Sequence, residues 1–220
     1  DCRGYPEDYS DYVITDKVYL DSGIVVKSFT PGDWEYTYHI AHEHGWMFGI
    51  PLQKTTGWGY LWNSSVTSEL EAQSNLINLL GEYQVEYFSE DCKQFKFKNY
   101  YAKSIVNDDG NIFVNGNRAL FLEPIQATSL GCYGLINGLI IDSIENKHYD
   151  HEKYTTVMDE VIKFINLHYY NGSDYDTPFW NMAQEGSREV LNGINPAEYD
   201  WKYVIDWTPQ FRKKMFESFL

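Results

Sequence analysis

FLEPIQATSL, residues 121–130, divides this chain into two kinds of sequence. Ahead of it, short segments rich in aromatic and β-branched residues alternate with turns; behind it, apolar residues recur at helical spacing. Asn111-Ile112-Phe113-Val114 predicts a strand that runs into Asn115, Gly116 and Asn117, and Glu123-Pro124 predicts a tight turn. Pro124, with a fixed φ and no N–H, suits the first turn of the apolar helix that follows. At such a start Ala127, Thr128 and Ser129 would present uncommitted backbone N–H groups at the positive end of a helix dipole, a place for a phosphate, a carboxylate or a halide. Read alone, the same residues also fit an ordinary strand-to-helix connection, since most helix starts bind only water.

Working outward, residues 13–29 favour strands, and Pro31-Gly32-Asp33 is a turn signal. WEYTYHIA, WMFGIPLQ and WGYLWNSS read as three further strands, joined at Glu43-His44-Gly45 and Lys54-Thr55-Thr56-Gly57, and loops that short predict an antiparallel meander. Ser68 with Glu71 three positions later is a capping box, opening a helix with Leu70, Leu76, Ile77 and Leu80 and closing at Gly81. Residues 83–88 and 94–101 alternate as strands would.

Beyond residue 126, Leu130, Ile136, Ile140, Ile141 and Ile144 predict a helix buried by close packing at Gly131, Gly134 and Gly138. Tyr154, Val157, Met158, Val161, Ile165 and His168 predict a second. Thr177-Pro178 and Thr208-Pro209 mark two more helix starts, the last helix burying Phe211, Met215, Phe216 and Phe219. The expected fold class is α+β, with residues 1–126 β-rich and 127–220 helical, packed as one unit.

The 220 residues suffice for a real core, and 43% hydrophobic content with seven Trp, nineteen Tyr and twelve Phe is that of a globular chain. A net charge of −15 repels nucleic-acid backbones and anionic membranes, so neither is expected as a partner. Cys2, Cys92 and Cys132 are odd in number and widely spaced, which fits a reduced, cytoplasmic setting without a disulfide framework. The longest apolar stretch, residues 134–141, is too short to span a bilayer.

His39, His42 and His44 form an HxxHxH pattern, but in a strand His39 faces away from the other two and no Cys lies nearby, so no metal site is expected. His148 and His151 fit an exposed helix approach, and His168 fits a packed, hydrogen-bonded side chain in a helix stripe. The chain has no GxSxG elbow, HExxH, P-loop or GxGxxG.

Three stretches taken together resemble the flavin-dependent tryptophan halogenase family. Residues 45–72, GWMFGIPLQKTTGWGYLWNSSVTSELEA, are similar to its Trp-x-Trp-x-Ile-Pro segment; residues 116–131, GNRALFLEPIQATSLG, to its Gly-Asn and Glu-Pro-Leu-Glu segment; residues 164–180, FINLHYYNGSDYDTPFW, to its Leu-His-Tyr helix and Asp-Thr-Pro-Phe-Trp. The resemblance implies part of a flavin-binding module packed with a largely helical substrate module. It also implies that reduced FAD, supplied by a separate flavin reductase, and oxygen turn chloride or bromide into an agent that halogenates a small, electron-rich aromatic substrate. A homo-oligomer is the family expectation.

Carried onto this chain, the resemblance places Trp46 and Phe48 as aromatic shields beside the flavin, with Ile50 and Pro51 closing that motif. It makes Gly116, Asn117 and Pro124 flavin contacts and Thr128 and Ser129 the halide site. Two departures stand out. Gln126 occupies the position of the family's catalytic glutamate, and an amide cannot act as a carboxylate base. The dinucleotide fingerprint and the family's active-site lysine have no counterpart here, and without the fingerprint a pyrophosphate lacks its glycine-lined helix start. A flavin monooxygenase of the same superfamily and a non-catalytic binding fragment are the competing readings.

Overall fold

The computed structural model describes residues 1–2, 4–87, 90 and 92–194. Its elements are β1 (Tyr12–Ile14), β2 (Ser22–Lys27), β3 (Tyr38–His42), β4 (Gly45–Pro51), β5 (Thr56–Trp62), α1 (Glu69–Glu82), β6 (Lys93–Lys96), β7 (Tyr100–Ala102), β8 (Leu120–Phe121), α2 (Thr128–Asn146), α3 (His151–Tyr170) and α4 (Pro178–Leu191). This is an α+β architecture. The predicted helix at Thr208-Pro209 lies outside the described residues.

Five strands form one antiparallel sheet in the order β3-β4-β5-β2-β6, and β1-β7-β8 form a second. The meander β3-β4-β5 is the one its short joints predict. Strand alternation sorts side chains onto two faces. Ile24, Val26, Met47, Trp58, Tyr60 and Trp62 point one way and close a core with Ala72, Leu76, Leu79 and Leu80 of α1. The capping box is present: Glu71 N–H donates to Ser68 Oγ at 3.3 Å and Ser68 N–H donates to Glu71 Oε2 at 2.8 Å.

The other face carries Trp46 and Leu61 into a larger core with Leu20, Leu120 and Leu122, Ile136 of α2, Tyr154 and Ile165 of α3, and Phe179 and Trp180 of α4. That core draws on residues from both sides of residue 126. The start of α4 is tied to the β3–β4 turn, since Trp180 Nε1 donates to His42 O at 2.7 Å and Thr177 Oγ1 donates to Glu43 O at 2.5 Å.

Several expectations are corrected. Residues 94–101 are two strands rather than one: β6 pairs with β2, and β7 joins the other sheet. Of the predicted strand 83–88, the described residues 83–87 contribute an isolated bridge from Tyr87 to Ser28, and residues 111–114 one from Phe113 to Val106; neither forms a ladder among the described residues. The apolar helix begins at Thr128, after a 3₁₀ turn over Ile125–Ala127, and Pro124 precedes that turn. α2 buries only the side bearing Cys132, Ile136 and Leu139, leaving Leu130, Ile141 and Ile144 in water. The segment Ile125–Asn146 is long and apolar enough by composition to cross a bilayer, which the sequence reading did not anticipate.

At the junction of these parts lies Glu123, fully buried. Its Oε2 accepts the N–H groups of Tyr19 (3.2 Å) and Leu20 (3.3 Å), and its Oε1 accepts Tyr169 Oη at 2.5 Å. Burial opposes ionisation and these three donors favour it; burial prevails, moving the carboxyl from its usual 4.5 up to about 7. A carboxyl that keeps its proton longer in the folded state gives stability that is complete below pH 4.5 and disappears as pH rises through 7, a loss of order 3 kcal/mol. Glu123→Gln removes this titration, so the stability advantage of the wild type over the variant should shrink between pH 5 and 7.5. Urea unfolding of both across that range checks it, and a pH-independent difference contradicts it.

Candidate functional site

The Trp46-x-Phe48-x-Ile50-Pro51 segment is β4, and its alternation puts Trp46, Phe48 and Ile50 on one face. Pairing sets out two rows across that face. Trp46 lies opposite Leu61, which lies opposite Gly23 and then Phe95; Phe48 lies opposite Gly59, then Val25 and Lys93. The rows differ in cover. Trp46 is 4% exposed and belongs to the core, Phe48 is half-buried, and Ile50 is 40% exposed. Gly59 is required here, because a Cβ would sit 2.3 Å from the Phe48 ring. The Phe48 ring therefore occupies the space beside Gly59 at the open end of the sheet face, 6.3 Å from the Trp46 ring centroid.

Trp46 is fixed by more than packing. Its Nε1 donates to Tyr169 Oη at 3.0 Å, and Tyr169 Oη donates in turn to Glu123 Oε1. Trp46 of β4, Tyr169 of α3 and Glu123 of the turn thus form one buried chain of hydrogen bonds. A second network flanks it: Tyr19 Oη (2.5 Å) and Ser187 Oγ (3.0 Å) both donate to Asn166 Oδ1, and Asn166 Nδ2 donates to Lys17 O at 2.9 Å. The Tyr19 and Tyr169 rings meet edge to face at 5.1 Å. Burial raises Tyr19 to about 12 and Tyr169 well above the usual tyrosine value, so both remain proton donors.

Glu123 leads within three residues to Gln126. Gln126 (φ 52°) and Ala127 (φ 53°) are both left-handed, and neither is the glycine or asparagine that tolerates this. The turn is held by its own bonds. Ala127 N–H donates to Pro124 O at 2.9 Å, Thr128 N–H donates to Ile125 O, and Thr128 Oγ1 donates to the same carbonyl at 2.5 Å. Ser129 Oγ donates to Leu122 O and accepts Leu122 N–H, both at 3.0 Å. The expectation of three uncommitted amides is corrected accordingly: those of Ala127 and Thr128 are engaged within the turn. The Gln126 side chain stands in solvent.

Gly116 (φ +62°) starts a 3₁₀ turn, and a Cβ there would meet nothing closer than Cys2 Cβ at 3.8 Å, so backbone can be approached at this point. Asn117 is engaged within the fold, its side-chain oxygen accepting Tyr133 Oη and its carbonyl accepting Tyr100 Oη, each at 2.5 Å. The open backbone at Gly116 leaves room for a ligand to approach. The described residues offer no glycine-lined helix start for a flavin's pyrophosphate.

Among the described residues no cluster of His, Cys, Asp or Glu could hold a metal ion. The His39 ring lies tilted against Trp46 at 5.3 Å and His168 Nδ1 lies 2.9 Å from Phe164 O; burial lowers the pKa of each. A polar surface hollow of about 380 Å³ between α3 and α4 is lined by Ser173, Asp174, Tyr175, Asp176 and Gln184, apart from the Trp46 chain. Tyr169 and Glu123 are the residues the sequence reading passed over. The available signal was Tyr169 continuing the stripe of Tyr154, Met158, Val161 and Ile165, and a lone Glu flanked by buried Leu122 and Ile125.

Tyr169→Phe strands two buried partners at once and should lower unfolding free energy by about 2–3 kcal/mol. Trp46→Phe removes one of those partners, so the double variant should lose less than the sum, with a coupling of about 1 kcal/mol. A denaturation cycle measures this, and strict additivity contradicts the hydrogen-bonded chain.

Known proteins share this fold. Tryptophan 7-halogenase RebH of Lentzea aerocolonigenes is 23% identical over 81% of this chain and 34% of its own length. A tryptophan halogenase structure from Shewanella frigidimarina superposes with a TM-score of 0.61 at 23% identity, over 80% of this chain and 36% of that one. A flavin-dependent halogenase from Xanthomonas campestris gives 0.60 at 23% identity, over 82% and 38%. At these identities the structural likeness is one of fold, and the chain spans about a third of the length of the curated relatives it matches. The tryptophan halogenase family model matches residues 6–194, and the chain belongs to that family.

Proposed function

We propose that the chain forms the substrate-side part of a flavin-dependent halogenase that modifies a small, electron-rich aromatic of indole type. The observation that supports this best is the Trp46–Tyr169–Glu123 chain, which ties the family's aromatic strand to the turn bearing Gln126. FAD, reduced by a separate flavin reductase in the cytoplasm, would supply the oxidising chemistry with oxygen and chloride or bromide. Gly116 would meet the flavin edge, with Asn117 and Pro124 beside it.

Within that reading, Phe48 is the shield: it lies at the open end of the face, while Trp46 positions the strand from inside the core. Ile50 and Pro51 extend the same wall. Thr128 and Ser129 mark the anion place at the start of α2 through the helix dipole, since the Thr128 amide and both hydroxyls are already engaged within the turn. Gln126 holds the catalytic position with a group that can donate and accept hydrogen bonds but cannot take the ring proton near neutral pH. Slow turnover follows, by roughly 10²–10⁴-fold relative to a carboxylate at that position.

The test uses the complete open reading frame that encodes this chain. Incubated with FAD, a flavin reductase, bromide and a panel of indoles, its product should yield brominated indole by mass spectrometry, and Gln126→Glu should raise the rate at least 10²-fold. Hydroxylated product without bromination would favour a monooxygenase, the reading that Gln126 and Phe48 motivate. Absence of both products, together with no flavin bound, would leave a non-catalytic module.

A further inference from the structure

The Trp46–Tyr169–Glu123 chain carries a reactivity that halogenation does not use. Tyr169 Oη lies 2.5 Å from Glu123 Oε1, the separation of an O–H···O⁻ bond, and Trp46 Nε1 donates to the same Oη at 3.0 Å. The other buried tyrosines differ in what faces their hydroxyl. Tyr100 and Tyr154 donate to the main-chain carbonyls of Asn117 and Ala102, and Tyr19 donates to the Asn166 amide oxygen. Such oxygens accept a hydrogen bond without taking the proton, whereas a carboxylate does both. Tyr60 Oη faces His42 Nδ1 at 3.3 Å, beyond the reach of ready proton transfer, and burial makes that imidazole a weaker base. A phenol that loses an electron becomes a strong acid, so its oxidation is easiest where a base already holds the proton; among these tyrosines that is Tyr169.

Trp46 connects this pair to the open sheet face, its ring 5.3 Å from His39 and 6.3 Å from Phe48. Tyr169 is fully buried between the rings of Tyr19 at 5.1 Å and Trp180 at 5.9 Å, so a radical on it is out of reach of other molecules. We propose that Tyr169 is a redox-active tyrosine that refills an electron vacancy at Trp46 and hands its proton to Glu123. An oxygen- or halogen-centred radical at the open face takes one electron from the Trp46 indole and is reduced to its anion. Tyr169 returns one electron to the indole while its phenolic proton crosses to Glu123 Oε1. Trp46 is restored, Glu123 becomes a neutral carboxylic acid, and Tyr169 carries a neutral phenoxyl radical. The Trp46 N–H and the new Glu123 O–H both donate to the phenoxyl oxygen. The pair thereby spares the tryptophan that the sheet places nearest its open end.

The test needs neither flavin nor halide, so its outcome is separate from that of halogenation. The 220-residue chain is oxidised by radiolytically generated azide radicals at pH 8, above the value of about 7 at which Glu123 ionises, and frozen for electron paramagnetic resonance. Radicals on surface tyrosines couple to one another and vanish, whereas a phenoxyl signal from Tyr169 should persist. Its amplitude should fall by about tenfold or more in Tyr169→Phe and in Glu123→Gln, and should be unchanged in Tyr19→Phe, which leaves the Tyr169–Glu123 bond in place. Because Tyr169→Phe also destabilises the fold, the wild type supplies a second readout. Electron–nuclear double resonance should show two exchangeable protons coupled to the phenoxyl oxygen, both lost after preparation in deuterium oxide. A persistent signal of undiminished amplitude in either variant overturns the proposal. So does an equal loss in Tyr19→Phe, and so does a wild-type phenoxyl without those two protons.

Discussion

A carboxyl group with no access to water needs partners, and the way Glu123 obtains them ties this fold together. Two donors come from the backbone at Tyr19 and Leu20, ahead of β2, and the third comes from Tyr169, near the end of α3. None of these segments is adjacent in sequence to Glu123, so the sheet, the helices and the turn must all be in place before the group is satisfied. An unpartnered buried carboxyl would be severely destabilising. The network therefore discriminates against alternative packings as well as adding to stability.

The sheet makes this convergence possible through an uneven distribution of bulk. On the face toward α3 and α4, strand β5 contributes Leu61 at one end but Gly59 and Gly57 toward the other. Helices can press on Trp46 and Leu61, while the glycine end remains shallow, with Phe48 and Val25 beside Gly59. The opposite face is filled from end to end by Trp58, Tyr60, Trp62 and α1. One face is thus wholly structural, and the other grades from core to open surface along three alternating residues of a single strand.

Much of this was legible in the sequence because it depends on local rules. The meander follows from two short joints, α1 from its capping box, and α3 and α4 from stripe spacing and a Thr-Pro start. What escaped depends on pairing at a distance. Residues 94–101 alternate throughout, yet the break at residues 97–99 sends their halves to different sheets. The apolar character of α2 suggested full burial, although hydropathy cannot tell which neighbours exist to bury it. Glu123 was seen as part of a turn, and its real role needed Tyr169, forty-six residues later.

The turn after Glu123 shows how stability and chemistry are divided. Two consecutive left-handed residues without glycine cost roughly 1–2 kcal/mol each. They persist because their surroundings fix them: the Ala127 and Thr128 amides, the Thr128 hydroxyl and both polar groups of Leu122 are all bonded inside this short segment. A turn held this firmly by backbone and hydroxyl groups does not depend on the side chain at position 126, which projects into solvent. Exchange of a carboxylate for an amide there leaves the strained geometry intact. The residue that anchors the turn is therefore Glu123, and the side chain at position 126 can vary without disturbing it.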